Sequence, residues 1–272
     1  MLGRAVMRRL KYEKIPADAW TRADGDLSEV DTARWAVQIL KPNLVINCAA
    51  YTDVEGCEDP ANADAMRRGN VLIPQNLAMA CGEREVRLVH VSTDYVYDGR
   101  KPDPYVEDDP VNPLSNYGRG KLEGEQAVME AAGEQAIILR TAWLYGPYGK
   151  NFVDTIRRLA RERDELKVVD DQIGCPTYVD DLADAILRCG RLRATGVFHA
   201  VNDGSTSWFA LAKRIVKRLN LETQVHPCTT AEYPTKAARP ANSVLSCDKL
   251  EAATGLRLRH WEEAVDDYLS GP

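Results

Sequence analysis

The chain lacks a long apolar run. None of its stretches approaches the roughly 18 consecutive apolar residues that a membrane-spanning helix needs, and its N-terminus carries no short apolar segment of the signal-peptide kind. Both absences lead to the expectation of a soluble, cytoplasmic protein. Basic residues are in deficit, 35 Lys and Arg against 41 Asp and Glu, giving a net charge of −6 and a pI near 5.4. That balance argues against a nucleic-acid-binding surface, while leaving room for a local basic pocket. The seven cysteines, at 48, 57, 81, 175, 189, 228 and 247, include no Cys-x-x-Cys pair. Their odd number and apolar settings fit reduced thiols, not a disulfide framework or a zinc site. Histidine is scarce and scattered, at 90, 199, 226 and 260. His90 and His199 fall inside strand-like runs and read as core or supporting residues, so no metal is expected. There is no low-complexity tract and no internal repeat. What is present is 44% apolar residues in a chain of 272, enough for one large α/β domain with an appended lobe.

The stretch from Leu88 to Glu130 organises the rest. Arg87-Leu-Val-His-Val-Ser92 is short, apolar and β-branched, the pattern of a buried parallel strand. A loop rich in Gly99, Pro102, Pro104, Pro110 and Pro113 follows, and Tyr117-Gly-Arg-Gly-Lys121 then opens a helical pattern. Tyr and Lys four apart share one helix face. A phenol with an unperturbed pKa of about 10 is a poor proton donor at neutral pH, and an ammonium one turn away is expected to lower that pKa. Such a pair can exchange a proton with a carbonyl or alcohol oxygen while hydride moves at the adjacent carbon. A hydroxyl from the strand end, Ser92 or Thr93, can hold the same oxygen. A second pair with the same spacing, Tyr97 and Lys101, encloses Asp98-Gly99-Arg100 and precedes Pro102, so it reads as a turn.

Context gives the spacing its weight. The run Val91-Ser-Thr-Asp-Tyr-Val-Tyr-Asp-Gly99, then Pro104-Tyr105-x-Glu107, then Tyr117-Gly-x-x-Lys121-x-x-Gly124-Glu125 resembles the catalytic segment of extended short-chain dehydrogenases/reductases, and within them the dTDP-4-dehydrorhamnose reductase family. The likeness extends through Val168-Val-Asp-Asp171-Gln172-x-Gly174-x-Pro176-Thr177 and Ala237-x-Arg239-Pro240-x-Asn242-Ser243. It implies an α/β fold with a doubly wound parallel sheet of Rossmann type and a small C-terminal substrate lobe. The dinucleotide-binding part would be residues 1–145 plus about 176–198, and the substrate lobe about 146–175 plus 199–272. It implies reduction of the 4-keto group of a dTDP-linked sugar with hydride from NADPH, or else NADH. Catalytic roles fall on Thr93, Tyr117 and Lys121. Cofactor contacts fall on Gly3, Arg22, Asp26, Leu27, Cys48, Ala49, Ala50, Tyr51 and Asn70, with Tyr117 and Lys121. Substrate contacts fall on Thr93, Asp94, Tyr95, Trp143, Asn151 and Arg239, the last because a guanidinium offers a planar fork of donors to a diphosphate. The implied partner is a nucleotide sugar, with a homodimer as the compatible assembly. Two other readings share these residues: a binding relative similar to the regulatory β subunit of methionine adenosyltransferase, and a reductase or epimerase of another nucleotide sugar.

The chain's beginning departs from that pattern. Met1 to Met7 reads as helix, whereas the family opens with a strand and a glycine loop of which only Leu2-Gly3 matches here. The first strand and the first two loop glycines are therefore expected to be missing, either through a truncated or mis-started reading frame or because the chain is a homologue that no longer holds cofactor normally. A strand is expected between Tyr12 and Asp31, where Trp20-Thr-Arg22 and Asp26-Leu27 resemble its end. Helices are expected over 30–40, 61–81, 152–163 and 208–219, and buried strands over 44–50 and 136–140. Gly120 stands where the family usually has Ser, and Gly118 with Gly120 is expected to weaken the first turn of the Tyr117 helix.

Overall fold

A computed structural model describes residues 1–192 and 195–271. Its centre is a parallel sheet of four strands, Leu44–Asn47, Arg87–Thr93, Ala136–Thr141 and Gly196–His199, laid side by side in chain order. The register sets Val89 beside Ile46 and Ile137, and Thr93 beside Thr141. Apolar runs such as Leu88–Val91 and Ile137–Leu139 form strands buried on both faces, because successive side chains point to opposite sides and helices cover each side.

On one face Val89, Val91, Ile137 and Leu139 meet Leu2, Ala5, Val6 and Leu10 of helix Leu2–Tyr12 and Leu182 and Ile186 of helix Val179–Arg191. On the other, Leu88, Ala136 and Ile138 meet Val37 of helix Val30–Leu40, Ala78 and Cys81 of helix Ile73–Gly82, and Val128 of helix Asn116–Ala132. A further core gathers Ile156, Leu211, Ile215, Trp261 and Val265 from helices Phe152–Glu162, Trp208–Arg218 and Trp261–Ser270. Beside it strands Glu165–Val169 and Gln224–Cys228 pair in parallel. The fold is thus the expected Rossmann-like α/β arrangement, and no helix among the described residues is long and apolar enough to cross a membrane.

The strand expected between Tyr12 and Asp31 does not form; residues 15–29 are irregular. A strand's amides need a ladder partner, and here local turns take them instead. Thr21 N and Oγ1 both bond Asp24, Ser28 N and Oγ both bond Asp26, and Trp20 Nε1 donates to Gly25 O. Trp20 then meets Trp35 edge-on at 5.7 Å, which anchors the segment on helix Val30–Leu40.

Candidate active site

The carboxyl ends of the strands and the start of helix Asn116–Ala132 converge. Ser115 caps that helix, its Oγ accepting from Gly118 N at 3.1 Å. Three glycines let the helix lie against backbone. A Cβ at Gly118 would sit 2.3 Å from Tyr95 O, one at Gly124 2.1 Å from Asn70 O, and one at Gly120 2.5 Å from the Met66 sulfur. The helix-weakening residues of the sequence are therefore the condition for bringing Tyr117 and Lys121 down onto strand Arg87–Thr93.

Thr93 ends that strand, buried, with Oγ1 donating to Asp94 Oδ1 at 3.0 Å and accepting from Tyr95 N at 3.2 Å. The same hydroxyl faces the Tyr117 phenol, and Tyr95 meets Tyr117 edge-on at 5.7 Å. Thr93, Asp94, Tyr95 and Tyr117 therefore form one cluster. Burial pushes the Tyr117 phenol up; Thr93 pulls it down, while Asp94 and Tyr95 raise it further. Lys121 does not act on that phenol as its spacing had led us to expect. Its Nζ donates to Val91 O at 2.7 Å and lies 3.4 Å from His90 Nε2, so the ammonium is drawn to the strand beneath the helix. Burial brings its own pKa down to about 8, against the opposing pull of Glu125 and Cys48. Asp94 is also buried, with Oδ2 unpartnered, and burial raises its carboxyl to about 6 against the hydroxyls of Ser243 and Thr93.

On the side of strand Leu44–Asn47, Gly3 at the start of helix Leu2–Tyr12 rests against Cys48, where an added Cβ would be 3.8 Å from its Cβ. Ala49 N donates to Asn47 Oδ1 at 3.0 Å. Asn70 lies in a π-helical turn, Arg68–Leu72, and clamps Tyr51 from both sides, accepting from its N at 2.9 Å and donating to its O at 3.1 Å. Such turns recur at functional sites, and this one spends the Asn70 amide on holding the segment Cys48–Tyr51. Three residues expected to touch the cofactor, Arg22, Asp26 and Leu27, are engaged otherwise. Arg22 is an exposed turn residue. Asp26 is committed to Arg68 at 2.6 Å and to Ser28, which brings its carboxyl down to about 2, and Leu27 is half-buried with its carbonyl accepting from Asn76.

Trp143 leaves the strand adjacent to Thr93 in left-handed backbone, φ +46°, a strained state for a bulky residue. It is over-determined by stacking on Trp208, 3.4 Å between centroids, and by Gly174, whose Cβ would fall 2.5 Å from the indole. Asn151 caps helix Phe152–Glu162; its Oδ1 accepts from Asp154 N at 2.9 Å and its Nδ2 donates to Gly146 O, Gly149 O and Asp154 Oδ2. Its polar atoms are thus spent on the loop and the helix start. Arg239 stands beside Tyr95, with Nη2 2.5 Å from Glu55 Oε1 and Nη1 donating to Ala237 O. Sequence reasoning missed Glu55, four residues beyond Tyr51, and, although it read His90 as a core or supporting residue, it missed the pairing of His90 with Asn47. The first had a signal in its neighbours; the second becomes visible only once strand register is known.

Comparison with known proteins places the chain in a family. Residues 1–271 match the family described as RmlD substrate binding domain. The dTDP-4-dehydrorhamnose reductase of Sinorhizobium fredii is 44% identical over 256 residues, 90% of this chain and 85% of that protein. The crystal structure of a dTDP-4-dehydrorhamnose reductase from Clostridium acetobutylicum superposes with a TM-score of 0.94 at 41% identity, covering 98% of this chain and 94% of that one. The Bacillus anthracis dTDP-4-dehydrorhamnose reductase, solved in complex with NADP, gives 0.94 at 37% identity and the same coverage. This chain belongs to the dTDP-4-dehydrorhamnose reductase (RmlD) family of oxidoreductases.

Proposed function

We propose that this protein reduces the 4-keto group of dTDP-4-dehydro-β-L-rhamnose to give dTDP-L-rhamnose, using NADPH. The observation that carries the reading is the clustering of Thr93, Asp94, Tyr95 and Tyr117 over a buried Lys121 at the carboxyl ends of the sheet. Side chains around this point suit a nicotinamide group: Cys48, Ala49 and Ala50 are small, and Ser92 Oγ and Thr141 Oγ1 are buried without partners at neighbouring strand ends. Cys48 to Tyr51, with Lys121, would hold that group. When bound, NADPH supplies the hydride. Tyr117 gives its phenolic proton to the sugar oxygen, and Thr93 donates a hydrogen bond to the same oxygen. Asp94, mostly protonated below about pH 6 and half-satisfied, orients a neighbouring sugar hydroxyl. Trp143 presents a fixed flat wall to the sugar, and Arg239 takes the diphosphate. Asn151 shapes the loop from Gly146 to Gly149 next to Trp143. The sugar nucleotide then lies between the sheet portion, residues 1–145 plus about 176–198, and the lobe made of about 146–175 plus 199–272. The test is consumption of NADPH in the presence of dTDP-4-dehydrorhamnose, with the product identified as dTDP-L-rhamnose by NMR. Consumption without that product would reassign the sugar, and no consumption would sink the reaction.

A further inference from the structure

Trp208, the first residue of helix Trp208–Arg218, lies between two aromatic rings. Its indole stacks on Trp143 with 3.4 Å between centroids and 6° between planes, and Phe152 leans on it at 4.6 Å and 51°. Aromatic rings left to themselves prefer offset or edge-to-face arrangements over a parallel sandwich. The sandwich is therefore held from outside, by the elements on which the two indoles sit.

Those elements meet at one short strand. Ile173–Gly174 pairs antiparallel with Thr206–Ser207, with Ile173 beside Ser207 and Gly174 beside Thr206. Ser207 caps the Trp208 helix, its Oγ accepting from Ala210 N at 3.0 Å and donating to Asp170 Oδ1 at 2.5 Å, which fixes the helix start. The same strand carries the Arg239 loop. Ile173 N donates to Ala241 O, and Ser243 N donates to Ile173 O, both at 2.8 Å. Gly174 itself touches Trp143: a Cβ there would fall 2.5 Å from the indole Cε2 and 2.7 Å from Cζ2 and Nε1, although the backbone of Gly174 is not left-handed. Contact with the ring, and not backbone conformation, requires glycine at this position.

Trp143 needs this support. Its φ of +46° is left-handed, a state that a bulky residue keeps only where the surroundings over-determine it. Trp208 covers one face of the indole and Gly174 runs along its Nε1–Cε2–Cζ2 side, so the ring cannot tilt without leaving one or colliding with the other.

We propose that Trp208, together with Gly174, is a positioning residue that sets the plane of the Trp143 indole against the sugar of the substrate, and so governs affinity for the sugar and not for the nucleoside diphosphate. The inference rests on the reduction proposed above. An indole already fixed in place offers its face to the C–H groups of a deoxysugar without losing freedom on binding. Released from Trp208, the same ring must be ordered by the sugar itself.

Calorimetry on the whole protein with NADP present tests this with two ligands, dTDP-L-rhamnose and dTDP, which lacks the sugar. Trp208→Leu should weaken dTDP-L-rhamnose by about ten-fold and dTDP by less than about two-fold. Trp208→Phe, which keeps a flat ring, should restore most of the loss. Gly174→Ala should reproduce the loss with Trp208 still present. The KM for the keto sugar should rise in step while that for NADPH holds. In proton NMR of the unaltered protein, the Trp143 ring resonances, assigned with Trp143→Phe, should lie upfield through the ring current of Trp208 and return in Trp208→Leu. Unshifted Trp143 resonances, unchanged affinity for dTDP-L-rhamnose, or an equal loss for both ligands overturns the proposal. Should Trp208→Leu fail to fold, Gly174→Ala and the shifts in the unaltered protein decide. A protein that binds neither ligand would remove the nucleotide-sugar reading, while the Trp143 shifts would still report whether Trp208 holds the ring.

Discussion

Glu55 holds Arg239 across 184 residues of sequence. Its Oε1 lies 2.5 Å from Nη2, and its Oε2 accepts from Lys236 N at 2.7 Å and from Ala237 N at 3.4 Å. One carboxylate therefore fixes both the backbone of the loop and the guanidinium at its end. It does so from the segment that begins with Tyr51, so the two sides of the site are tied together. If Arg239 receives the diphosphate, Glu55→Ala should loosen the loop and raise the KM for the nucleotide sugar by roughly ten-fold, with the KM for NADPH little changed. Steady-state kinetics on both substrates distinguishes this from a general loss of fold, which would move both constants.

Tyr117 faces Thr93 and meets Tyr95 edge-on, so removing its hydroxyl leaves the packing of the ring in place. Tyr117→Phe should reduce turnover by about 10²–10⁴-fold and leave nucleotide-sugar binding within about two-fold. Single-turnover rates beside calorimetric binding would check both halves. Unchanged turnover would take Tyr117 out of the mechanism.

Much of this arrangement was legible in the chain, and the exceptions have physical causes. Runs such as Leu88–Val91 and Ile137–Leu139 can satisfy their apolar side chains only between two helical layers, so strands and order followed. The proline and glycine loop before Tyr117 located the helix start, and the structure adds the cap at Ser115. Trp20 to Leu27 was expected to end a strand because it resembles the family's residues there, but turn bonds from Asp24 and Asp26 took the amides instead. Asn151 looked like a substrate contact, and capping claimed its amide. The direction of Lys121 depends on which carbonyl lies under the helix, and spacing along the helix carries no information about that. The glycines at 118 and 120 read as a weakness because their benefit is an inter-element distance.

Gly124 gives that distance a measurable consequence. With its Cβ 2.1 Å from Asn70 O, Gly124→Ala must push the helix away from the π-turn. The backbone carbonyl cannot swing aside, so the overpacking should destabilise the protein by about 1–3 kcal/mol, despite the better helix propensity of alanine. The exposed Gln126→Ala on the same helix serves as the control. Urea denaturation of both variants reads the difference, and equal midpoints would mean that the contact yields.

Acid should weaken the fold earlier than paired carboxylates alone would suggest. His199 is brought down to about 3 by burial, with the Arg140 charge adding to it, and His90 is likewise held well below its ordinary value by burial and by Lys121. Below pH about 6.5 the unfolded chain takes up protons that the folded one refuses, so stability falls as pH falls. Asp94 has the opposite sign. Its raised pKa means that the folded chain binds a proton first, and stability is recovered between about pH 6 and 4. At pH 5 each histidine costs about 2 kcal/mol and Asp94 returns about 1, a net loss of about 3 relative to pH 7. Denaturation at the two pH values measures it, and a protein more stable at pH 5 would contradict the buried neutral state of both rings.

The buried ion pair of Arg140 with Glu125 offers a sharper test of how the core is held. Arg140 and Glu125 are 5% and 4% exposed, joined by Nη2 to Oε2 at 2.7 Å and Nε to Oε1 at 3.0 Å. Arg140 Nη1 also donates to Tyr97 OH at 2.7 Å, and that hydroxyl lies 2.8 Å from His199 Nε2. His199 Nδ1 is 3.0 Å from Ser246 O, so the ring donates there and its Nε2 accepts from Tyr97. Arg140→Met leaves the Glu125 carboxylate buried without its partner and should cost about 3–5 kcal/mol. Adding Glu125→Leu removes the stranded charge, and the double variant should recover most of that loss, since a packed apolar pair of similar volume is often as stable as the ion pair. If the double variant is instead as unstable as Arg140→Met, the loss comes from the Tyr97 and His199 bonds, and the network beyond the ion pair carries the stability.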